Sequence, residues 1–377
     1  MLRTELVERE RWITSERFNR VLAVYQALPG PEATELCCYF GMIARGRAGA
    51  VVAGLAFILP GLLLILLASW LYARYGLDNP WALAAFAGCR PAAAALICIG
   101  AYRLARRTII RPNLLPLSTI ALVAAGGHLL AAAPWAGIIG GGLFFAATSR
   151  KKLPLALLVL ALTVAGIAWS ATRASDPAPA VKPSPHTAIA PIAPPTPATL
   201  ARTGLEAGLL TFGGAYTAIP FVHRAAVGTD APSAPGWITH RQFLDGLAIA
   251  SALPAPLVVF ATFVGYLGGG FFGALIITAA IFLPAFAFTL IGHRWFERLV
   301  DEPRIHAFLD GIAAAVIGIL TAAAVALALS VIPNAFAAGV FACALAAWFL
   351  APSRFIAPLV MLAAALAGLI ARALAHQ

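Results

Sequence analysis

Apolar runs long enough to cross a bilayer follow one another along almost the whole chain. They lie at residues 18–44, 47–74, 81–104, 114–132, 134–149, 153–171, 202–222, 241–266, 271–292, 305–330, 332–350 and 355–374. A spanning helix needs about 20 apolar residues to cover roughly 30 Å of hydrocarbon, and inside that layer every backbone polar group must be paired within the protein. The pattern therefore reads as an all-α polytopic membrane protein with about 12 membrane segments. Only 11% of the 377 residues are charged, whereas a soluble domain carries about 25%. No length remains for a large water-facing domain. The net charge of +11 fits basic loops retained on the cytoplasmic side and calls for no nucleic acid partner. The first twenty residues are charged and hold no apolar stretch of the kind a cleavable signal peptide needs. Cys37, Cys38, Cys89, Cys98 and Cys343 have neither metal-ligand nor disulfide spacing and read as small buried hydrophobes. The five histidines of the apolar regions, His128, His223, His240, His293 and His306, are scattered. No metal and no cofactor is expected.

Between the sixth and seventh runs the sequence DPAPAVKPSPHTAIAPIAPPTPA is too rich in proline for a helix or a sheet core, and it reads as an extended linker over 172–201. The two sides of that linker are related. Trp12-Ile13-Thr14 recurs as Trp237-Ile238-Thr239, and the same shift aligns Phe18 with Phe243, Leu22 with Leu247, and Ala27-Leu28-Pro29 with Ala252-Leu253-Pro254. Pro31 then falls on Pro256. After a one-residue slip, Gly41 matches Gly265, Gly49-Ala50 matches Gly273-Ala274, and Phe57 to Pro60 matches Ile281 to Pro284. Placing basic loops on one side sets Arg45 and Arg47, the cluster Arg103, Arg106, Arg107 and Arg111, and Arg150-Lys151-Lys152 inside, while their second-half equivalents are uncharged and fall outside. The loop from His293 to Arg304 falls inside and its counterpart around Asp78-Asn79-Pro80 outside. The expected organisation is thus an N-terminal repeat at 1–152, an inverting helix at 153–171, the linker, and an inverted C-terminal repeat at 202–377. Inverted repeats are typical of secondary transporters, with the site near the midplane where the repeats meet.

Two runs carry proline pairs in their middles, Leu28-Pro29-Gly30-Pro31 and Leu253-Pro254-Ala255-Pro256. Each proline removes an amide donor and clashes with the preceding turn, so both helices are expected to break there. A break inside hydrocarbon leaves polar backbone that only protein, water or a ligand satisfies, and the positive end of the following half-helix suits an anion. Thr211-Phe212-Gly213-Gly214-Ala215-Tyr216 offers a further point of unwinding or close approach, and a packing groove is the alternative. Pro60 and Pro284 read as structural kinks.

The stretches ELVERERW at Glu5 to Trp12, LPGP at Leu28 to Pro31, GLAFILP at Gly54 to Pro60, FGGAY at Phe212 to Tyr216, FLDGLA at Phe243 to Ala248 and FATFVGYL at Phe260 to Leu267 together resemble the chromate ion transporter (CHR) family, in its two-domain form. The resemblance covers nearly the whole chain. It implies a multi-pass protein of the bacterial inner membrane that is not an enzyme and exports chromate, conferring chromate resistance, with sulfate as the chemically similar anion. Two departures stand out. The family's first-half FGG helix would lie about thirteen residues before Met1 on the repeat offset and is missing here. The second PGP of the family is PAP, with Ala255 in place of glycine.

Ionisable residues inside a membrane are costly and mark functional candidates. Arg90, just before Pro91 where the family carries a basic residue, is expected to contact the oxyanion through its planar fork, with snorkelling or pairing to an acid as alternatives. Glu32 and Glu35 follow Pro31 and are assigned to capping, with an Arg90 partnership or a proton-carrying role as alternatives. Asp245 and Asp310 are assigned structural roles near helix ends. The expected substrate set is Arg90, with Pro29, Gly30, Pro31 and Thr34 at the first break, Phe212, Gly213 and Gly214 at the glycine motif, and Pro254, Ala255 and Pro256 at the second break. Expected partners are chromate or else sulfate, the lipid bilayer and a second copy of the chain as a homodimer. The alternatives are transport of sulfate or another oxyanion, or a non-transporting membrane subunit. A membrane enzyme acting on lipid phosphates would need a clustered Arg/His/Glu constellation, which the sequence does not display.

Overall fold

A computed structural model describes residues 4–27, 29–76, 79–109, 113–130, 134–174, 194–212, 214–228, 236–300, 303–350 and 355–375. Every regular element among them is helical: α1 (Ser15–Ala27), α2 (Glu32–Leu71), α3 (Pro80–Thr108), α4 (Leu114–Leu129), α5 (Pro134–Ser149), α6 (Leu153–Ala174), α7 (Pro197–Leu209), α8 (Ile219–Val227), α9 (His240–Ala252), α10 (Phe260–Val300), α11 (Pro303–Val331), α12 (Ala335–Leu350) and α13 (Ile356–Ala375). Six helical stretches among the described residues are long and apolar enough to cross a membrane. The protein is a multi-pass membrane protein.

Helices α2 and α10 are each two arms joined at a sharp reversal. In α2 the dihedrals leave the helical region at Arg45 (φ −141°, ψ 27°) and Gly46 (φ 61°, ψ −152°). In α10 the same pair of values recurs at Gly269 (φ −147°, ψ 26°) and Gly270 (φ 61°, ψ −152°). Residues eight apart in a straight helix are separated by about 12 Å. Gly41 and Gly49 instead meet backbone to backbone, as do Gly265 and Gly273, so the chain turns back on itself at both sites. The conformation of Gly46 and Gly270 is one that only glycine adopts without strain, and glycine stands at both. Helix continues through Pro60 and Pro284, which lie inside α2 and α10.

This geometry changes the reading of three apolar runs. Run 241–266 does not cross once. Trp237, just before α9, packs on Gly268 at the far end of the first arm of α10 and donates its indole N–H to the Val264 carbonyl at 3.2 Å. Hence α9 and that arm lie side by side, antiparallel, with Pro254-Ala255-Pro256 at the tip. Run 18–44 behaves alike: Phe18 early in α1 stacks on Phe40 late in the first arm of α2, centroids 5.9 Å apart. Run 202–222 is also a hairpin. The Trp237 amide bonds the Ala226 carbonyl at the end of α8, while Pro195, just before α7, packs on the same Gly268. The opening arms α1, α7 and α9 have 13 residues each, about 20 Å of helix and too short to span hydrocarbon. Continuous apolarity hid the folding back, because a hairpin buried in protein needs the same residues as a crossing helix.

The linker is shorter than the sequence implied at both ends. Helix α6 runs to Ala174, and α7 begins at Pro197, where Thr196 accepts the Thr199 amide at 3.1 Å and proline occupies the first turn. Residues 175–193 lie outside the described residues.

Helices α3 and α11 form the interior. Ala92 to Ile97 of α3 and Ala314 to Leu320 of α11 are almost fully buried. Small residues allow this close packing, as usual between membrane helices. Gly88 of α3 abuts the Ala364 carbonyl of α13, and Gly368 of α13 reciprocally abuts the Ala84 carbonyl of α3. Gly311 meets Gly141 of α5, and Gly318 meets Ala121 of α4.

Candidate substrate site at three broken helices

The tips of the three hairpins converge. At the first tip α1 ends at Ala27 and α2 restarts at Glu32, with Pro29, Gly30 and Pro31 between them. Gly30 has φ +154°, and its amide donates to the Thr211 carbonyl at 2.7 Å. This bond joins the first-half break directly to the glycine motif of the second half. There α7 ends at Leu209, Gly214 turns with φ +142°, and a short 3-10 turn at Ala215–Ala218 leads into α8. The Thr217 hydroxyl ties this loop, accepting the Phe212 amide at 3.1 Å and donating to the Gly214 carbonyl at 2.9 Å. Tyr216 packs its ring over Gly100 of α3. At the third tip the PAP segment is followed by a 3-10 turn at Leu257–Val259, and Ala255 and Pro256 lie against Gly61 in the long arm of α2. Gly30 of the first proline pair thus meets the glycine motif, whose 3-10 turn in turn meets the Leu257–Val259 turn after the second pair. Ala255 has no left-handed backbone, so alanine is accommodated there without strain.

Polar side chains gather at the first tip. Thr34 and Glu35 in the first turn of α2 are completely buried, and the Thr34 hydroxyl and both Glu35 oxygens have no hydrogen-bond partner among the described residues. A methyl group at Gly30 would overlap Glu35 Oε1, so this glycine provides the space the carboxyl fills.

A second polar group lies on α3 and α9. Arg90 donates from Nε to Asp245 Oδ1 at 2.7 Å and from Nη2 to Oδ2 at 3.0 Å, and the Tyr72 hydroxyl donates to Oδ2 at 2.8 Å. Asp245 is 1% exposed and sits in the middle of α9, not at its end. Two of the three guanidinium nitrogens of Arg90, Nε and Nη2, are thus engaged by an acid. Pairing with an acid was one of the alternatives open in the sequence, but Glu35 is not that acid. Close by, His223 and His240 approach at 3.0 Å between Nε2 and Nδ1, and His240 Nε2 lies 2.7 Å from Ser330 Oγ. Two of the five histidines are therefore adjacent, although no group of three or more potential metal ligands occurs among the described residues.

Comparison with known proteins decides what kind of protein carries this arrangement. A family model described as chromate transporter matches residues 1–169 and 198–369. The chain belongs to the chromate transporter family. It is similar to a chromate transport protein of Pseudomonas aeruginosa, 44% identical over 98% of this chain and 86% of that protein. It is similar also to the chromate transport protein of Cupriavidus metallidurans, 31% identical over 99% and 88%. A probable chromate transport protein of Synechococcus elongatus is 30% identical over 97% and 88%. No solved structure matches. As a member of this family the chain is a membrane transport protein and not an enzyme.

In this chromate transporter family member, the expected site residues divide into two sets. Pro29, Gly30, Pro31, Thr34, Phe212 and Gly214 come together at the junction of the first and second tips, and Pro254, Ala255 and Pro256 form the third tip. Gly213 lies outside the described residues. Arg90 stands apart in its pair with Asp245. Among the cysteines, Cys38 and Cys89 are buried as expected, but Cys343 is exposed on α12, because a membrane helix presents apolar residues outward. The sequence missed the full burial of Glu35 and the His223–His240 contact. Its one signal for Glu35 was a carboxyl within a turn of an intramembrane proline break.

Proposed function

We propose that this chain is a secondary transporter that carries chromate outward across the bacterial inner membrane, with the divalent tetrahedral anion bound where the three hairpin tips converge. The 2.7 Å bond between the Gly30 amide and the Thr211 carbonyl carries this reading, since it joins the broken backbones of two sequence-related halves in a chain of the chromate transporter family. Helix starts after Pro31 and Pro256 leave early amides without intrahelical partners, and each such end contributes about 0.3 to 2 kcal/mol toward an anion. Several ends together give binding that is firm enough for selection and weak enough for release. Arg90 enters as a positioning residue that anchors the α9 hairpin on α3 through Asp245.

The recurrence of the reversal dihedrals at Arg45-Gly46 and Gly269-Gly270 supports two repeats over 1–152 and 202–377, with α6 as the odd crossing that inverts the second. On this reading nine helical segments cross: the long arms of α2 and α10, then α3 to α6 and α11 to α13. The three hairpins enter and return. The basic segments Arg103 to Arg107, Arg150 to Lys152 and the α10–α11 connection then share the cytoplasmic side.

Chromate flux into everted vesicles containing the purified chain tests the reading. The expected result is accumulation that sulfate inhibits and that chloride and nitrate inhibit poorly. Absence of flux, or chloride competing as well as sulfate, overturns it.

A further inference from the structure

Among the described residues, nothing holds the charge of the Glu35 carboxyl. Its side chain is fully buried at the first hairpin tip, directly under Gly30, and neither oxygen has a hydrogen-bond partner among the described residues. Among the described residues no Lys, Arg or His pairs with it. The titratable groups around it are Glu32, Cys37 and Cys38 on the same helix, Tyr39 one turn on, and Tyr25 of α1, which packs edge-on against Tyr39 at 5.5 Å. From the α7/α8 hairpin the Thr211 carbonyl reaches this tip, and from α10 the Phe286 ring reaches Gly54 beside Cys38. All of these are neutral or negative. The second repeat does not copy the feature: the repeat offset puts Phe260, fully buried, where Glu35 stands.

We propose that Glu35 is a proton-binding site linked to the anion, protonated whenever a divalent oxyanion occupies the converged tips. A carboxylate here and a dianion at the same junction repel in a medium with little water to screen them. Uptake of one proton by the carboxylate, forming a neutral carboxylic acid, removes that repulsion and supplies an O–H donor. When the anion leaves, the proton leaves to water on the same side. One proton thus accompanies each dianion, and a transport cycle moves one net negative charge in place of two. The linkage rests on the substrate site proposed above, and it assigns the coupling to a single side chain.

Titration calorimetry of chromate into the purified full chain, in buffers of differing ionisation enthalpy and over the alkaline range where chromate is itself fully dianionic, counts protons taken up per anion bound. The unaltered chain is expected to take up close to one, with affinity falling about tenfold per pH unit above the titration of Glu35. Glu35→Gln, which mimics the protonated form in shape and charge, is expected to bind chromate with no proton uptake and no pH slope. Chromate binding by the unaltered chain without proton uptake overturns the proposal, and so does a Glu35→Gln chain that keeps the uptake. If Glu35→Gln fails to fold, the proton count of the unaltered chain decides alone. Failure of the unaltered chain to bind chromate at all overturns the substrate site and the linkage with it, a result distinct from binding without protons.

Discussion

Asp245 and Arg90 show what a buried charge pair demands of its surroundings. The carboxylate is 1% exposed and receives two guanidinium donors and the Tyr72 hydroxyl, so removing the cation strands an anion inside the protein. Arg90→Ala is expected to cost about 3–5 kcal/mol and to lower the yield of folded protein, as is Asp245→Ala. The double replacement Arg90→Met with Asp245→Leu should recover most of that loss, because it removes both charges together. Thermal unfolding in detergent measures this, and single variants as stable as the unaltered chain would contradict the pairing. The sequence marked Arg90 through its position inside an apolar run. It could not mark the partner, which lies 155 residues away and becomes a neighbour only when α9 folds back beside α3. Glu35 shows the same limit. Its place after Pro31 was legible, but its burial depends on Gly30 leaving room and on the second half closing over the tip.

At the scale of elements, glycine governs where the chain reverses. Gly46 and Gly270 share φ 61° and ψ −152°, a region closed to side chains, and an added methyl at either meets nothing within 4 Å. Replacing either by alanine should therefore destabilise through backbone strain alone, by about 1–3 kcal/mol, with no steric contribution. An unchanged unfolding temperature in both variants would contradict the hairpin geometry. At the α3/α13 contact the expected cause is different. Gly88→Leu has to push apart two helices whose backbones touch, and about 1–3 kcal/mol of overpacking is expected, read as lost folded yield. The proline pairs were legible as helix breaks because proline has no amide to donate. The reversals were not, since helix-forming residues run on both sides of Arg45-Gly46. The recurrence of Gly41 with Gly49 as Gly265 with Gly273 was the available signal. It was visible as a repeat and became a contact only with three-dimensional geometry.

For the whole molecule, the hairpins separate two topologies that apolar runs alone leave indistinguishable. Trp237 is buried between Gly268 and the end of α8, whereas its repeat equivalent Trp12 is 59% exposed, with no counterpart of α7 and α8 among the described first-half residues to cover it. If residues 18–44 form a hairpin, then Ile13 and Arg47 lie on one side of the membrane. In a chain lacking the five native cysteines, Ile13→Cys and Arg47→Cys are expected to react with an impermeant thiol reagent from the same face. Labelling from opposite faces would restore a single crossing. The long apolar helices were legible from hydropathy, but the convergence of three tips becomes visible only in the folded chain. That convergence is the central claim, and equilibrium chromate binding to two glycine variants tests it most directly. Gly126→Ala adds a methyl group where nothing lies within 4 Å, whereas Gly30→Ala adds one at φ +154° against Glu35, beside the Thr211 contact. Binding by the first is expected to equal that of the unaltered chain, and binding by the second to weaken at least about tenfold, or 1.4 kcal/mol, at matched amounts of folded protein. Equal chromate affinity in both variants would contradict a substrate site at the converged tips.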